Sequence, residues 1–349
     1  MTLNFTFIQT TGIKICEHVR KAVVDSGITE EDTMFGLYPK MCEMLIKSKS
    51  ENTNKSYYHA FLRWEKYIKR NGHQSLPAEP VHVALYLTHL LEQGCSYHVV
   101  NSAIYSIKWA HNINGLSDPT QSMFVTSLQE AARRTAYTKT VKKEPVTVQM
   151  LIDLCHKFNG NNDLIVIRDL TMILLSFAGF LRFDEISSLM FKDVKVEENY
   201  LIVKIEKSKT DQYRQGNEIL ISKGETIACP YRMYLDYIRI ANFKDNSSDQ
   251  YLFRPCFRSK GVSKLIYKNK KISYTSAREN ILSRLKLVSH GINLGLHSLR
   301  SGGATAAASS AISEMCLKRH GRWKSDSSKD GYIVDTLDKR LQISKVLGL

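Results

Sequence analysis

The chain has 349 residues, 43% hydrophobic and 24% charged, with seven prolines. This is the composition of an ordinary globular protein, which excludes a low-complexity or fibrous chain, and the length exceeds one average core, so two domains are expected. Lys and Arg number 49 against 34 Asp and Glu, a net charge of +15 with a pI near 9.4, which points to a polyanionic partner and first to nucleic acid.

Residues 36–136 read as helices. Asn52-Thr-Asn-Lys-Ser opens one that carries Tyr58, Phe61, Trp64, Tyr67 and Ile68 at roughly helical spacing and closes near Asn71-Gly72. After a loop marked by Pro77 and Pro80, a second runs from Val83 through Leu91 to a C-cap at Gly94. Ser96 caps a third, ending at Gly115, and Pro119 is expected to start a fourth through Phe124, Leu128 and Ala131. No convincing β-alternation interrupts them, so this half is expected to be all-α. A basic linker follows over 137–146, and Thr147 is a candidate N-cap for a helix over 148–158.

Beyond it the pattern is mixed. Helices are expected at 163–179 and 183–190, and a small sheet over 192–206 and 217–222. Further helices are expected at 230–241, 274–288, 297–310 and 313–321, with a short one around Tyr332. The apolar run Leu170–Leu181, bounded by Asp169 and Arg182, is too short to span a bilayer and reads as a buried helix. Seven scattered cysteines with no Cys-x-x-Cys pair argue for reduced thiols and against a zinc ribbon. With no signal-peptide pattern at the N-terminus, a soluble intracellular protein is expected.

Four positions stand out near the end and one far upstream. His297 and Arg300 lie in Gly-Leu-His-Ser-Leu-Arg-Ser-Gly-Gly, Trp323 follows, Tyr332 lies in Lys-Asp-Gly-Tyr-Ile, and Arg182 lies in Gly-Phe-Leu-Arg-Phe-Asp-Glu. Taken singly each is ordinary: a helix-ending arginine, a helix-face His/Arg pair, a core tryptophan, a packing tyrosine. Together, two guanidiniums, an imidazole, an indole donor and a phenol can hold a phosphodiester while a tyrosine attacks its phosphorus. Such chemistry requires no metal and no cofactor. No Walker A sequence, Gly-x-Gly-x-x-Gly, His-Glu-x-x-His or Cys/His finger spacing competes with it.

The set resembles the tyrosine recombinase (phage integrase) family, in its Cre- and Xer-like branches, in order and in spacing. Arg182 to Lys209 is 27 residues, Arg300 to Trp323 is 23, and Trp323 to Tyr332 is 9. The tail from His320 to Tyr332 looks most like recombinases of eukaryotic mobile elements or genes derived from them. The helical front half resembles the family's core-binding domain. The resemblance implies Tyr332 as nucleophile, Arg182 and Arg300 on the non-bridging oxygens, and Lys209 as acid for the leaving 5′-oxygen, with Lys207 as the alternative. It implies His297 as acid–base partner of the tyrosine, Trp323 as an indole donor to phosphate, and Glu185 as support for Arg182. His320, twelve residues before Tyr332, is assigned to structure or phosphate contact.

Residues 254–286 carry ten Lys or Arg against the single acid Glu279, a net 10 − 1 = +9, with Phe257, Tyr267 and Tyr274 interleaved. Lys264, Lys268, Lys270 and Lys271 here, and Lys139, Lys142 and Lys143 in the linker, are candidate DNA-backbone contacts. The expected fold is mainly α (α+β). An N-terminal extension (1–40) and an all-helical core-binding, DNA-clamp domain (41–136) precede the linker (137–146). A mostly helical catalytic domain (147–349) follows, with a small antiparallel sheet and a tail helix. Through the resemblance, the expected function is a site-specific DNA recombinase or integrase acting on double-stranded DNA as a homotetramer. The host setting is nuclear if eukaryotic and cytoplasmic otherwise. A recombinase-derived DNA-binding protein that no longer cuts is the alternative.

Overall fold

The computed structural model describes residues 16–347 apart from 18, 137–141, 207–216, 311 and 336. The chain divides into two compact units, Met1–Thr140 and Val141–Leu349. Among the described residues, no helix is long and apolar enough to cross a membrane.

The first unit contains helices α1 (Tyr38–Lys47), α2 (Glu51–Arg70), α3 (Pro80–Glu92), α4 (Tyr97–Ile113) and α5 (Met123–Thr135). Ser50 caps α2 by accepting the Thr53 N–H at 3.2 Å. Ser96 precedes α4 in extended conformation but makes no side-chain cap bond. Pro119 does not start the fourth expected helix: Pro119–Gln121 forms a 3-10 turn, and Ser122, extended at ψ 150, caps α5 through the Val125 N–H. Trp64 is fully buried at the centre of this unit and donates its indole N–H to Ser75 O at 3.1 Å.

His111, also fully buried, accepts the Ala78 N–H on Nε2 at 2.9 Å, with Nδ1 2.8 Å from Ile107 O. That pair of bonds needs a neutral ring protonated on Nδ1. Burial, outweighing Ile107 O and Asp118, holds the imidazole below its usual pKa of 6.5. A depressed folded-state pKa stabilises the fold above the unfolded value, and that contribution is lost as pH falls below about 6.5. The thermal midpoint should therefore fall between about pH 7.5 and 5.5, and less steeply in His111→Gln. Parallel slopes for the two proteins would show that His111 carries none of the dependence.

In the second unit Thr147 caps α6 (Val148–Lys157), and Asp163 caps α7 (Leu164–Ala178). Helix α7 is apolar on nearly every face, as a helix surrounded by protein must be, and α9 (Pro230–Ile240), α10 (Tyr274–Lys286) and α11 (His297–Ala308) pack on it. Asp169, which bounds the apolar run in the sequence, lies inside α7, within the helix expected over 163–179. It is fully buried, 2.7 Å from Arg168 Nη2 and 3.6 Å from Arg284 Nε, so the charges are paired where they are desolvated.

After the short α8 (Phe183–Ser188), strands β1 (Val194–Val196), β2 (Tyr200–Ile205) and β3 (Asn217–Ser222) form an antiparallel sheet in that order, Val203 facing both Val194 and Ile219. Its alternation is clean: Leu201, Val203, Ile205, Ile219 and Ile221 are buried and their neighbours are not. A second sheet was not expected. It is the hairpin of β4 (Cys256–Ser259) and β5 (Val262–Leu265), turned on Lys260-Gly261 with φ of 50° and 80°, the signature of a type I′ turn. Helices α12 (Glu314–Gly321), α13 (Asp326–Asp330) and α14 (Leu337–Val346) complete a mainly helical fold with small antiparallel sheets, the class read from the sequence.

Candidate active site

Helix α7 stops at Ala178, and Phe180 then takes a left-handed conformation at φ 47. Leu181 returns to the core, and Arg182 becomes the N-cap of α8. Arg182 thus begins a helix instead of ending one, because Gly179 and Phe180 have already closed α7. Three residues on, Glu185 reaches back: Oε2 accepts the Arg182 N–H at 2.9 Å and Oε1 accepts from Arg182 Nη1 at 2.8 Å. Burial alone would raise this carboxyl. The charges of Arg322, Arg182 and Arg300, with the Arg182 N–H, overcome that and hold it below its usual value.

Arg300 comes from the first turn of α11 and is fully buried. One Nη donates to Phe180 O and the other to Gly321 O at 2.6 Å. Its Cζ lies 4.9 Å from the ring centroids of both Trp323 and Tyr332, so the guanidinium sits against two aromatic faces. Desolvation, then Arg182 and Arg322, push its pKa down to about 10, which leaves it charged at neutral pH. Trp323 is buried, and its Nε1 and the Arg300 Nε both lack an acceptor within the protein. An unsatisfied buried donor costs roughly 1–3 kcal/mol, and here two of them lie beside a tyrosine, open to acceptor oxygens from outside the protein.

Tyr332 is half-buried and lies just past α13, not within a helix as expected. Its carbonyl accepts from Ser301 Oγ at 2.6 Å and Thr305 Oγ1 at 3.5 Å, which fixes the tyrosine's main chain on the helix that carries Arg300. The buried Lys329 ammonium, 2.9 Å from Glu314, ties α13 to α12. His297 is the first residue of α11 and is exposed, whereas Arg300, one turn on, is not.

The structure therefore brings together Arg182, Glu185, Arg300, Trp323 and Tyr332. Lys207, Lys209 and Lys139 lie outside the described residues. Lys142, Lys264, Lys268 and Lys270 are exposed; Lys143 is exposed and bonds Asn293, and Lys271 donates to Ser188 Oγ at 2.9 Å. Two of the ten basic residues in 254–286 do not belong to a surface. Arg254 is buried over the Phe243 ring, and Arg284 lies over Phe158 beside Asp169. His320 is structural: its Nε2 is 2.8 Å from Ala178 O, its ring meets Phe180 edge-on, and burial lowers its pKa. Among the described residues, no three His, Cys, Asp or Glu side chains gather as a metal ion would need.

Sequence reasoning missed Arg322. It occupies the left-handed C′ position of a Schellman turn closing α12 (φ 55), where Arg322 N–H bonds Arg319 O and Trp323 N–H bonds Lys318 O. Its side chain runs inward to Glu185 Oε2 at 2.9 Å. An arginine in a basic tail reads as surface charge, and only the unusual backbone at this position betrays it.

No family model matches the chain. It is 26% identical over 294 residues to an integrase/recombinase XerD homologue of Selenomonas ruminantium, covering 83% of each chain. It is also 27% identical over 201 residues to a tyrosine recombinase of Caldanaerobacter subterraneus, 56% of this chain and 62% of that one. Among solved structures, XerH site-specific recombinase bound to its difH substrate shares the fold at TM-score 0.60 and 13% identity, over 95% of this chain and 94% of that one. The Tn1549 transposon integrase with circular-intermediate DNA does so at TM-score 0.51 and 14% identity, over 95% and 99%. In sequence the chain is thus similar to tyrosine recombinases, and it shares the fold of solved site-specific recombinases and integrases.

Proposed function

We propose that the chain is a site-specific DNA recombinase that breaks and rejoins strands through Tyr332. The observation that carries this reading is the buried Arg300 guanidinium held 4.9 Å from the Tyr332 ring, with Arg182 tied to the same Glu185. The Tyr332 Oη attacks the scissile phosphorus, and the phenolic proton passes to His297. Arg182, Arg300 and the Trp323 N–H take up the charge that grows on the non-bridging oxygens. The bond from phosphorus to the 5′-oxygen breaks, and Lys209, or Lys207 in its place, protonates that oxygen. The products are a 3′-phosphotyrosine and a free 5′-hydroxyl. Attack by a 5′-hydroxyl reverses each step, so one ester is exchanged for another and rejoining needs no nucleotide hydrolysis.

The exposed Lys264, Lys268 and Lys270, with Lys142 and Lys143 of the linker, supply backbone contacts to the duplex. Helix α14 gives a second protomer something to hold, consistent with a homotetramer on two duplexes. Both curated relatives bear the names of recombinases, so the alternative of a non-cutting derivative finds no support. Both are bacterial, which favours a cytoplasmic setting and gives the nuclear one no support.

The test is covalent capture. The wild-type protein is incubated with duplexes of random sequence nicked beside each candidate site, so that the short 5′-hydroxyl strand escapes after cleavage. A detergent-stable, protease-sensitive adduct whose DNA-bearing peptide contains Tyr332 is expected. An adduct mapped to another residue, or a strict divalent-metal requirement for the chemical step, overturns the reading.

A further inference from the structure

Three guanidiniums converge on one buried carboxylate. Glu185 lies 2.8 Å from Arg182, 2.9 Å from Arg322 and 4.0 Å from Arg300, and all four side chains are largely or fully withdrawn from water. In so dry a setting a carboxylate is a strong competitor for any arginine that should be holding a phosphate. Arg322 is the member with the fewest donors left for the phosphate. Its Nη1 donates to Gly179 O at 3.1 Å and to His320 O at 2.9 Å; its Nη2 donates to Phe180 O at 3.0 Å and to Glu185 at 2.9 Å. All four of its Nη hydrogens are thus taken within the protein, against two of Arg300's, so only its buried Nε lacks a partner, and it comes from a left-handed position that a glycine would occupy with less strain.

We infer that Arg322 is a positioning residue that neutralises Glu185 from behind, so that the charges of Arg182 and Arg300 remain for the phosphate. The local balance is one carboxylate against three guanidiniums. With Arg322 assigned to Glu185, two positive charges face a phosphorane that carries two negative ones. Without Arg322, Glu185 draws Arg182 and Arg300 toward itself and the clamp loses half its charge. The inference rests on the proposed cleavage reaction, and its test has one arm that does not.

The first arm is single-turnover adduct formation on the nicked duplex, alongside equilibrium DNA binding. Arg322→Met should cleave on the order of 10²-fold more slowly, the scale of one lost electrostatic donor, with affinity for DNA nearly unchanged. Adding Glu185→Gln to that variant should recover at least about tenfold, because the competing charge is gone. Arg322→Lys, which keeps the charge but not the fork, should stay close to wild type. A Lys variant as slow as the Met variant, or a double variant no faster than the single, would make Arg322 a packing residue only. Should Arg322→Met not fold, the Lys variant alone decides.

The second arm measures the rise in unfolding temperature caused by orthovanadate, a phosphate mimic, without any cleavage. Wild type should be stabilised, Arg322→Met much less so, and the double variant in between. If wild type formed no adduct but this order held, the reading of Tyr332 would fail and that of Arg322 would stand. Equal stabilisation of all three overturns the inference.

Discussion

Replacing Tyr332 by phenylalanine should lower covalent attachment to DNA by on the order of 10⁴-fold or more, the scale seen when an enzyme loses its nucleophile. Only one oxygen is removed. The ring remains against Arg300 and Trp323, and the main chain remains tied to Ser301 and Thr305, so the site keeps its shape. DNA affinity should stay nearly that of wild type, and circular dichroism should show an unchanged helical content. Loss of binding together with cleavage would mean that the phenol holds the fold or the duplex rather than performing the chemistry. Persistence of protease-sensitive adducts in the Phe variant would send the search to another of the seventeen tyrosines.

The second large effect separates the two arginines. Arg300→Ala and Arg182→Ala should each slow cleavage by on the order of 10²–10³, as expected for one oxyanion donor. Their effects on stability should differ. Arg300 is fully buried and satisfies the carbonyl of Gly321, while Phe180 O would keep Arg322, so its loss strands one acceptor and part of the Glu185 charge and should cost roughly 3–5 kcal/mol. Arg182 sits at the rim, 13% exposed, and Glu185 keeps Arg322 when it is gone, so a smaller loss is expected. Urea midpoints for the two variants, read beside their cleavage rates, check this. Equal destabilisation would contradict the division between a buried arginine and one at the rim.

The large elements were legible because their signals are local. Thr147 and the apolar face after it fix α6, and the alternation at 200–205 and 217–222 fixes the main sheet. The β4–β5 hairpin was not legible, although Lys260-Gly261 is a fair turn signal, because so many charges within 254–271 hide the alternation of a half-exposed strand. Charge misled elsewhere in the same way. Asp169, Arg254, Arg284 and Arg322 read as boundary or surface residues, yet each is buried or partly buried beside a partner that lies far off in sequence or on a neighbouring turn. The candidate site residues were singled out through their order and spacing, since order along the chain survives where periodicity carries no information. What spacing could not give is which way each one faces. It placed Tyr332 in a helix that stops two residues short of it, and it treated His297 and Arg300 as equals although one is exposed and the other is not.

Gly302 and Gly303 follow Arg300 on α11. A methyl group on Gly302 would fall 2.1 Å from Val146 O, and one on Gly303 would fall 2.1 Å from Phe177 O. Helix α11 is thus pressed against the end of α7 and the start of the second unit at backbone contact. Arg300 hangs from one of those surfaces and Arg182 follows directly from the other. The pair of glycines therefore works as a gauge block: the span between the two guanidiniums is set by two hydrogen atoms where any other residue would place carbon.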